Sequence, residues 1–168
     1  MSIFPAEIVT LAAETLEALR QKELRAASAE SCTGGLVAAA LTEIAGSSDC
    51  IRRSYLTYSN EAKHAVLGVK YTTLEAYGAV SAQTVTEMAE GLLSIAGRDA
   101  DIAVSVSGIA GPDGGSPDKP VGTVYFGLAS RGGKTETLHR VYEGYRSAVR
   151  SQAVIDALKL IKTRAEAL

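Results

Sequence analysis

The sequence predicts an α/β protein of three layers, α/β/α, around a mixed sheet with a parallel core and a C-terminal antiparallel hairpin. Three observations carry this expectation. Short apolar runs at 24–28, 51–59 and 101–107 alternate with stretches whose apolar residues recur at helical spacing. That order builds strands joined by crossover helices. Gly132-Gly133 lies between strand-like runs at 121–130 and 135–141, a hairpin signal that makes the end of the sheet antiparallel. Helical stretches before, between and after the strands suffice to cover both faces. No repeat or linker divides the 168 residues, so one domain over 1–168 is expected.

Taken in order, 5–22 reads as a first helix. Ile8, Leu11, Ala12, Thr15, Leu16 and Leu19 share a face, and Pro5 suits the start. Residues 24–28 form a short buried strand. The Ala- and Leu-rich run 36–44 is a helix that stops near Gly46, and 46–49 is a polar turn. Tyr, Thr and Ile mark 51–59 as a strand, which runs into a short helix at 60–68 capped by Ser59 or Asn60. A further short helix over 72–77 is closed by Gly78. A longer one opens at 81–84 and places Val85, Met88, Ala89, Leu92 and Ile95 on one side. The strand at 101–107 empties into a long loop, 108–120, and long loops in compact domains often carry function. The last helix covers 146–165.

The composition narrows the function classes. Hydrophobic residues make up 46% and charged ones 21%, the balance of a globular protein. A net charge of −2, aromatics at 5% and no tryptophan give nothing for a nucleic-acid surface to use, so none is expected as partner. No apolar run reaches the roughly 18 residues of a membrane span. The first residues lack the basic and apolar regions of a signal peptide. Two cysteines, Cys32 and Cys50, fit a reducing cytoplasm. His64 and His139 stand in no ligand spacing, so neither a metal nor a cofactor is expected. The oligomeric state stays open, a homo-oligomer included.

The stretch Ala29-Glu30-Ser31-Cys32-Thr33-Gly34-Gly35 is a strand-to-helix turn. A serine there would lie against the first free amides of a helix, where negative charge is favoured. The same residues also suit a cap by Ser31 or Thr33 and a tight glycine turn. Neither a phosphate loop nor a nucleophile elbow fits the spacing. Ligands of open α/β sheets bind beyond the carboxyl ends of strands. Three polar segments leave strands in that way: 31–35, 58–63 and 105–115.

Those segments carry a resemblance. The turn at 29–35, Thr57-Tyr58-Ser59-Asn60-Glu61-Ala62-Lys63, and Ser107-Gly108-Ile109-Ala110-Gly111-Pro112-Asp113-Gly114-Gly115 together resemble the CinA C-terminal domain family. The likeness continues through Lys119-Pro120-Val121-Gly122-Thr123-Val124 and 146–150, and so covers nearly the whole chain. Longer members carry an additional N-terminal domain, and this chain resembles the stand-alone form. It departs from the pattern at Gly144-Tyr145-Arg146, where Gly-Asp-Arg is common, and at Ser107, where many members have threonine.

The resemblance implies a nicotinamide-nucleotide amidohydrolase, which converts nicotinamide mononucleotide to nicotinate mononucleotide and ammonia. It also implies a serine–lysine pair: Ser31 as nucleophile and Lys63 as base, neutral only if its surroundings lower its pKa. Tyr58 is a candidate proton relay or oxyanion donor, and Ser107 a hydroxyl partner for Lys63 or substrate. Cys32 could instead be the nucleophile or simply packing. Arg146 and Arg150, four apart at a helix start, could hold the phosphate, with Ser47 and Ser48 as further donors. Thr33, Gly34, Gly35, Asn60, Ser105, Gly108 and Gly111 complete the candidate substrate contacts. Two alternatives remain: a non-catalytic nucleotide-binding or regulatory module, and an amidase for another small amide.

Overall fold

The computed structural model describes residues 2–168. Strands β1 (Ala26–Glu30), β2 (Ile51–Leu56) and β3 (Ile102–Gly108) run parallel, and β4 (Thr123–Ser130) and β5 (Glu136–Val141) continue the sheet antiparallel. The order across the sheet is β2-β1-β3-β4-β5. Helices α1 (Ala6–Gln21), α2 (Leu36–Thr42) and α6 (Arg146–Ala167) pack on one face. Helices α3 (Asn60–Leu67), α4 (Tyr71–Tyr77) and α5 (Ala82–Ala96) lie on the other. This is the three-layer mixed-sheet fold that the element order predicts.

The boundaries move slightly. The first strand lies two residues later than 24–28, and β2 stops at Leu56, so Thr57 and Tyr58 leave the sheet before α3 begins. Composition alone hides such ends, because the last strand residues are chosen by what they touch.

β1 is Ala-Ala-Ser-Ala-Glu, and all five residues are buried. It is central and covered on both faces, so small side chains let both helical layers come close. Its pleat sends Ala27 and Ala29 to the α5 side and Ala26 to the α1/α6 side. Glu30 and Ser31, one residue apart, therefore emerge on opposite faces. The α5 layer is set deep by two glycines. A Cβ at Gly127 would strike the Val85 carbonyl, and one at Gly91 would strike the carbonyl of Leu67 at the end of α3. The close fit carries α3, and Lys63 on it, against the carboxyl end of β1.

Candidate active site

Ser31 follows β1 directly, and its amide donates to the Val106 carbonyl at 3.0 Å. Its side chain meets Lys63, which α3 brings over the sheet edge: Nζ lies 3.1 Å from Ser31 Oγ. Helix α3 starts where it does because Ser59 caps it, its hydroxyl accepting from the Ala62 amide at 3.0 Å. Gly68 ends it in the left-handed region at φ 71. Within this helix Lys63 is only 1% exposed. Nζ also donates to the carbonyls of Thr57 at 2.9 Å and Tyr58 at 3.2 Å. Among the described residues no carboxylate pairs with it. Burial of an unpaired ammonium lowers the Lys63 pKa below the ordinary lysine value.

This arrangement suits a neutral amine. With the amine neutral, two N–H groups reach the two carbonyls and the lone pair is left for the hydroxyl proton of Ser31; with it charged, all three N–H groups find oxygens, Ser31 Oγ included. Cys32 beside it has no such help. Burial pushes its thiol up to about 11, and it packs against Gly108, where an added Cβ would come 3.1 Å from Sγ. A thiol held so far from ionisation is packing rather than a nucleophile.

Glu30 was not among the sequence candidates, and it organises the turn. Its carboxylate, 1% exposed, accepts from the amides of Gly35 and Val37 at 3.0 Å each and Ala38 at 2.9 Å, and from the hydroxyls of Thr33 at 2.7 Å and Ser28 at 3.0 Å. It caps α2 from below, where a negative charge meets the positive end of the helix. The expectation that Ser31 lies against those amides is thereby corrected, because Glu30 occupies them from the opposite face of the sheet. In the turn 31–35, among the described residues, the amides left without an acceptor are those of Cys32 and Thr33. The available signal was a lone carboxylate inside an alanine strand, which is costly unless fully hydrogen-bonded. Glu30→Ala strands three amides of the first turn, that of Val37 buried and the other two partly so, and is expected to cost about 3 kcal/mol, lowering the melting temperature by roughly 6–12 °C. Glu30→Gln, with one acceptor oxygen, should recover part of this. Thermal unfolding followed by circular dichroism measures both.

The other candidates divide. The carbonyl of Tyr58 touches Lys63, whereas its phenol, on a residue 59% exposed, accepts from Arg146 Nη2 at 3.2 Å. Arg146 Nη1 donates to Gly111 O at 2.8 Å. Arg150 donates to the carbonyls of Cys32 at 3.0 Å and Thr33 at 3.1 Å. The two arginines of α6 thus bracket all three loops, and with Ala110, Pro112, Val121 and Ser147 they line a cleft of about 560 Å³. Asn60 is exposed at the first turn of α3, and Gly35, at φ 91, is open on its outer side. A Cβ at Gly34 would meet the Arg150 guanidinium, and Gly108 and Gly111 stand where a Cβ would hit Val124 and Val121. Those last two glycines serve close packing rather than an open approach to a ligand.

Three expectations require correction. Ser105 is fully buried and donates to the Val85 carbonyl at 2.6 Å, so it anchors α5 and faces no substrate. Ser107, also buried, donates to the Ala79 carbonyl at 2.8 Å rather than partnering Lys63. Ser47 and Ser48 lie just before β2, whose start pairs with the start of β1 at Ala26↔Ile51. A crossover helix returns the chain to the amino end of a parallel strand, so these serines are one strand length, roughly 16 Å, from Ser31. They cannot line its site.

Among the described residues no group of three or more His, Cys, Asp and Glu could hold a metal ion, and no helix is long and apolar enough to cross a membrane. A separate polar hollow of about 780 Å³ between α5 and β5, lined by Lys70, Glu87 and Lys134 among others, is remote from Ser31. On the Ser31 side a buried amine meets a hydroxyl instead.

The CinA C-terminal domain family matches residues 8–165. The nicotinamide-nucleotide amidohydrolase PncC of Enterobacter agglomerans is 56% identical over 149 residues, covering 89% of this chain and 90% of its own. The protein of the same name from Escherichia coli K12 is 49% identical over 156 residues, 93% of each chain. The crystal structure of the competence/damage inducible protein CihA from Agrobacterium tumefaciens superposes with a TM-score of 0.91 at 44% identity, covering 96% of this chain and 97% of that one.

Proposed function

The chain belongs to the CinA C-terminal domain family, and on that premise we propose that it hydrolyses the carboxamide of nicotinamide mononucleotide to nicotinate mononucleotide and ammonia. The observation that carries the reading is the 3.1 Å approach of a buried, unpaired Lys63 to Ser31. The relatives named nicotinamide-nucleotide amidohydrolase supply the substrate.

The steps follow from the site. Neutral Lys63 takes the Ser31 proton as Oγ bonds to the amide carbon. Charge collects on the former carbonyl oxygen, and the amides of Cys32 and Thr33, the free donors next to the nucleophile, receive it. The C–N bond breaks as Lys63 returns its proton to the leaving nitrogen, and ammonia departs. Water then attacks the acyl-serine as Lys63 accepts its proton, the bond between the acyl carbon and Oγ breaks with that proton returned to Ser31, and nicotinate mononucleotide leaves. The cleft beside α6 takes the nucleotide, Arg146 and Arg150 lie towards its phosphate, and no cofactor is required. The buried free thiols Cys32 and Cys50 agree with a cytoplasmic setting. Ammonia release from the mononucleotide by the pure protein tests the proposal. No turnover above a Ser31→Ala control would leave a binding module, and preference for free nicotinamide would leave an amidase of other substrates.

The arginines yield a separable prediction. Losing one charge-assisted contact to phosphate should raise KM for the mononucleotide roughly 10- to 150-fold in Arg146→Ala, with little change for the phosphate-free nucleoside. Arg150→Ala should in addition lower kcat for both substrates, because its guanidinium holds the two carbonyls of the nucleophile turn. Steady-state kinetics on the two substrates separates the roles. Equal losses on both in Arg146→Ala would remove the phosphate from that residue.

A further inference from the structure

We infer that the hydroxyl of Thr57 is a positioning group for Lys63, idle in the resting site and engaged when Lys63 carries the proton taken from Ser31. The inference rests on the serine–lysine reading above. Its starting point is an anomaly: Thr57 is fully buried, and its Oγ1 is the one buried side-chain polar atom among the described residues with no hydrogen-bond partner. Such a group weakens a fold, and it calls for a reason. The backbone of Thr57 is fixed at both ends. Its amide donates to the Glu30 carbonyl at 2.8 Å, and its carbonyl accepts from Lys63 Nζ at 2.9 Å. It stands two residues after Tyr55, which packs on the α5 side, and so belongs to the face that holds Lys63.

Counting donors gives the hydroxyl its use. Neutral Lys63 has two N–H groups for the carbonyls of Thr57 and Tyr58, and its lone pair faces Ser31. Protonated Lys63 has three N–H groups. By then Ser31 Oγ is bonded to the acyl carbon and is a poor acceptor. The third proton needs another oxygen in a place that water hardly reaches, and Thr57 Oγ1, on the residue whose carbonyl Nζ already holds, is a buried oxygen with nothing bound. Other groups around Lys63 do not serve. Cys32, from the turn, keeps its proton, since burial pushes the thiol up to about 11. Glu61 and His64 on α3 are exposed, and the Tyr58 phenol turns to Arg146. Glu87 on α5 is held by Thr73 and the Lys70 amide, and Glu30 lies on the α2 side.

The test compares the wild type with Thr57→Val, which keeps the shape, and Thr57→Ser, which keeps the hydroxyl. Lys63 is titrated by NMR on 13Cε-lysine-labelled protein in a Ser31→Ala background, which removes the competing hydroxyl, and turnover is read with Ser31 in place. Loss of one hydrogen bond to the charged form should lower the Lys63 midpoint by about one pH unit in Thr57→Val, with Thr57→Ser near wild type. The acidic limb of kcat/KM should move the same way, kcat should fall about tenfold, and Thr57→Val should melt no lower than wild type. An unchanged Lys63 midpoint in Thr57→Val overturns the inference and leaves the hydroxyl as a packing defect. If Thr57→Val does not fold, Thr57→Ala carries the same titration. A shifted midpoint in a protein without turnover of the mononucleotide would sink the proposed activity and leave the Thr57–Lys63 coupling standing.

Discussion

Ser31→Ala is expected to fold as the wild type does and to lose at least about 10³-fold of the ammonia-releasing activity, by comparison with nucleophile removal in serine hydrolases. The structural cost is small. Ser31 is 8% exposed, and its hydroxyl is one of three oxygens around Lys63. The two carbonyls remain, and an alanine fits the turn, so the change in stability should stay within about 1 kcal/mol. The chemical cost is total, because no neighbour can take over. Thr33 donates to Glu30 at 2.7 Å from the opposite face. The thiol of Cys32, pushed up to about 11 by burial, supplies almost no thiolate at neutral pH. Thermal melts and product assays on the same preparations measure both halves. Activity above a tenth of wild type with an unchanged melt would move the nucleophile away from Ser31.

Lys63→Met should lose activity on the same scale, and it carries a signature in pH that Ser31→Ala does not. The base works only when neutral, so wild-type activity should climb as pH rises through the Lys63 midpoint, which burial lowers from its ordinary value of 10.5. Stability follows with a definite sign. Between the folded midpoint and 10.5 the unfolded chain binds a proton that the folded one does not, so folding gains as pH rises across that window. Below the folded midpoint the full penalty of a buried ammonium applies. Methionine, similar in length and uncharged, escapes the penalty. The melting temperature of Lys63→Met relative to wild type should therefore be highest at low pH and should decline as pH approaches 10.5. A flat difference would mean that Lys63 is not desolvated in solution. Lys63→Arg should be as inactive as Lys63→Met, because a guanidinium does not give up its proton. An active arginine variant would leave lysine an electrostatic role and remove it as base.

What the sequence determined by itself was the set of elements and the candidates for the reacting groups. Local periodicity records which side of each helix or strand is buried, so the five strands, the six helices and the antiparallel hairpin at Gly132-Gly133 could be read without a fold. Motif likeness named Ser31 and Lys63. Only the tertiary structure decided how those groups are surrounded. Residues far apart in sequence bury Lys63 away from any carboxylate, and no local pattern encodes that. Glu30 claims the amides of α2 because the pleat sends it to the face opposite Ser31. Ser47 and Ser48 fall at the far end of the sheet because a parallel crossover returns the chain there. Ser105 and Ser107 turn their hydroxyls to α5 and to Ala79 instead of to a ligand. The reason is common to these cases. A side chain's direction is a local property of its own element, while its partner and its access to water depend on which distant element is packed against it.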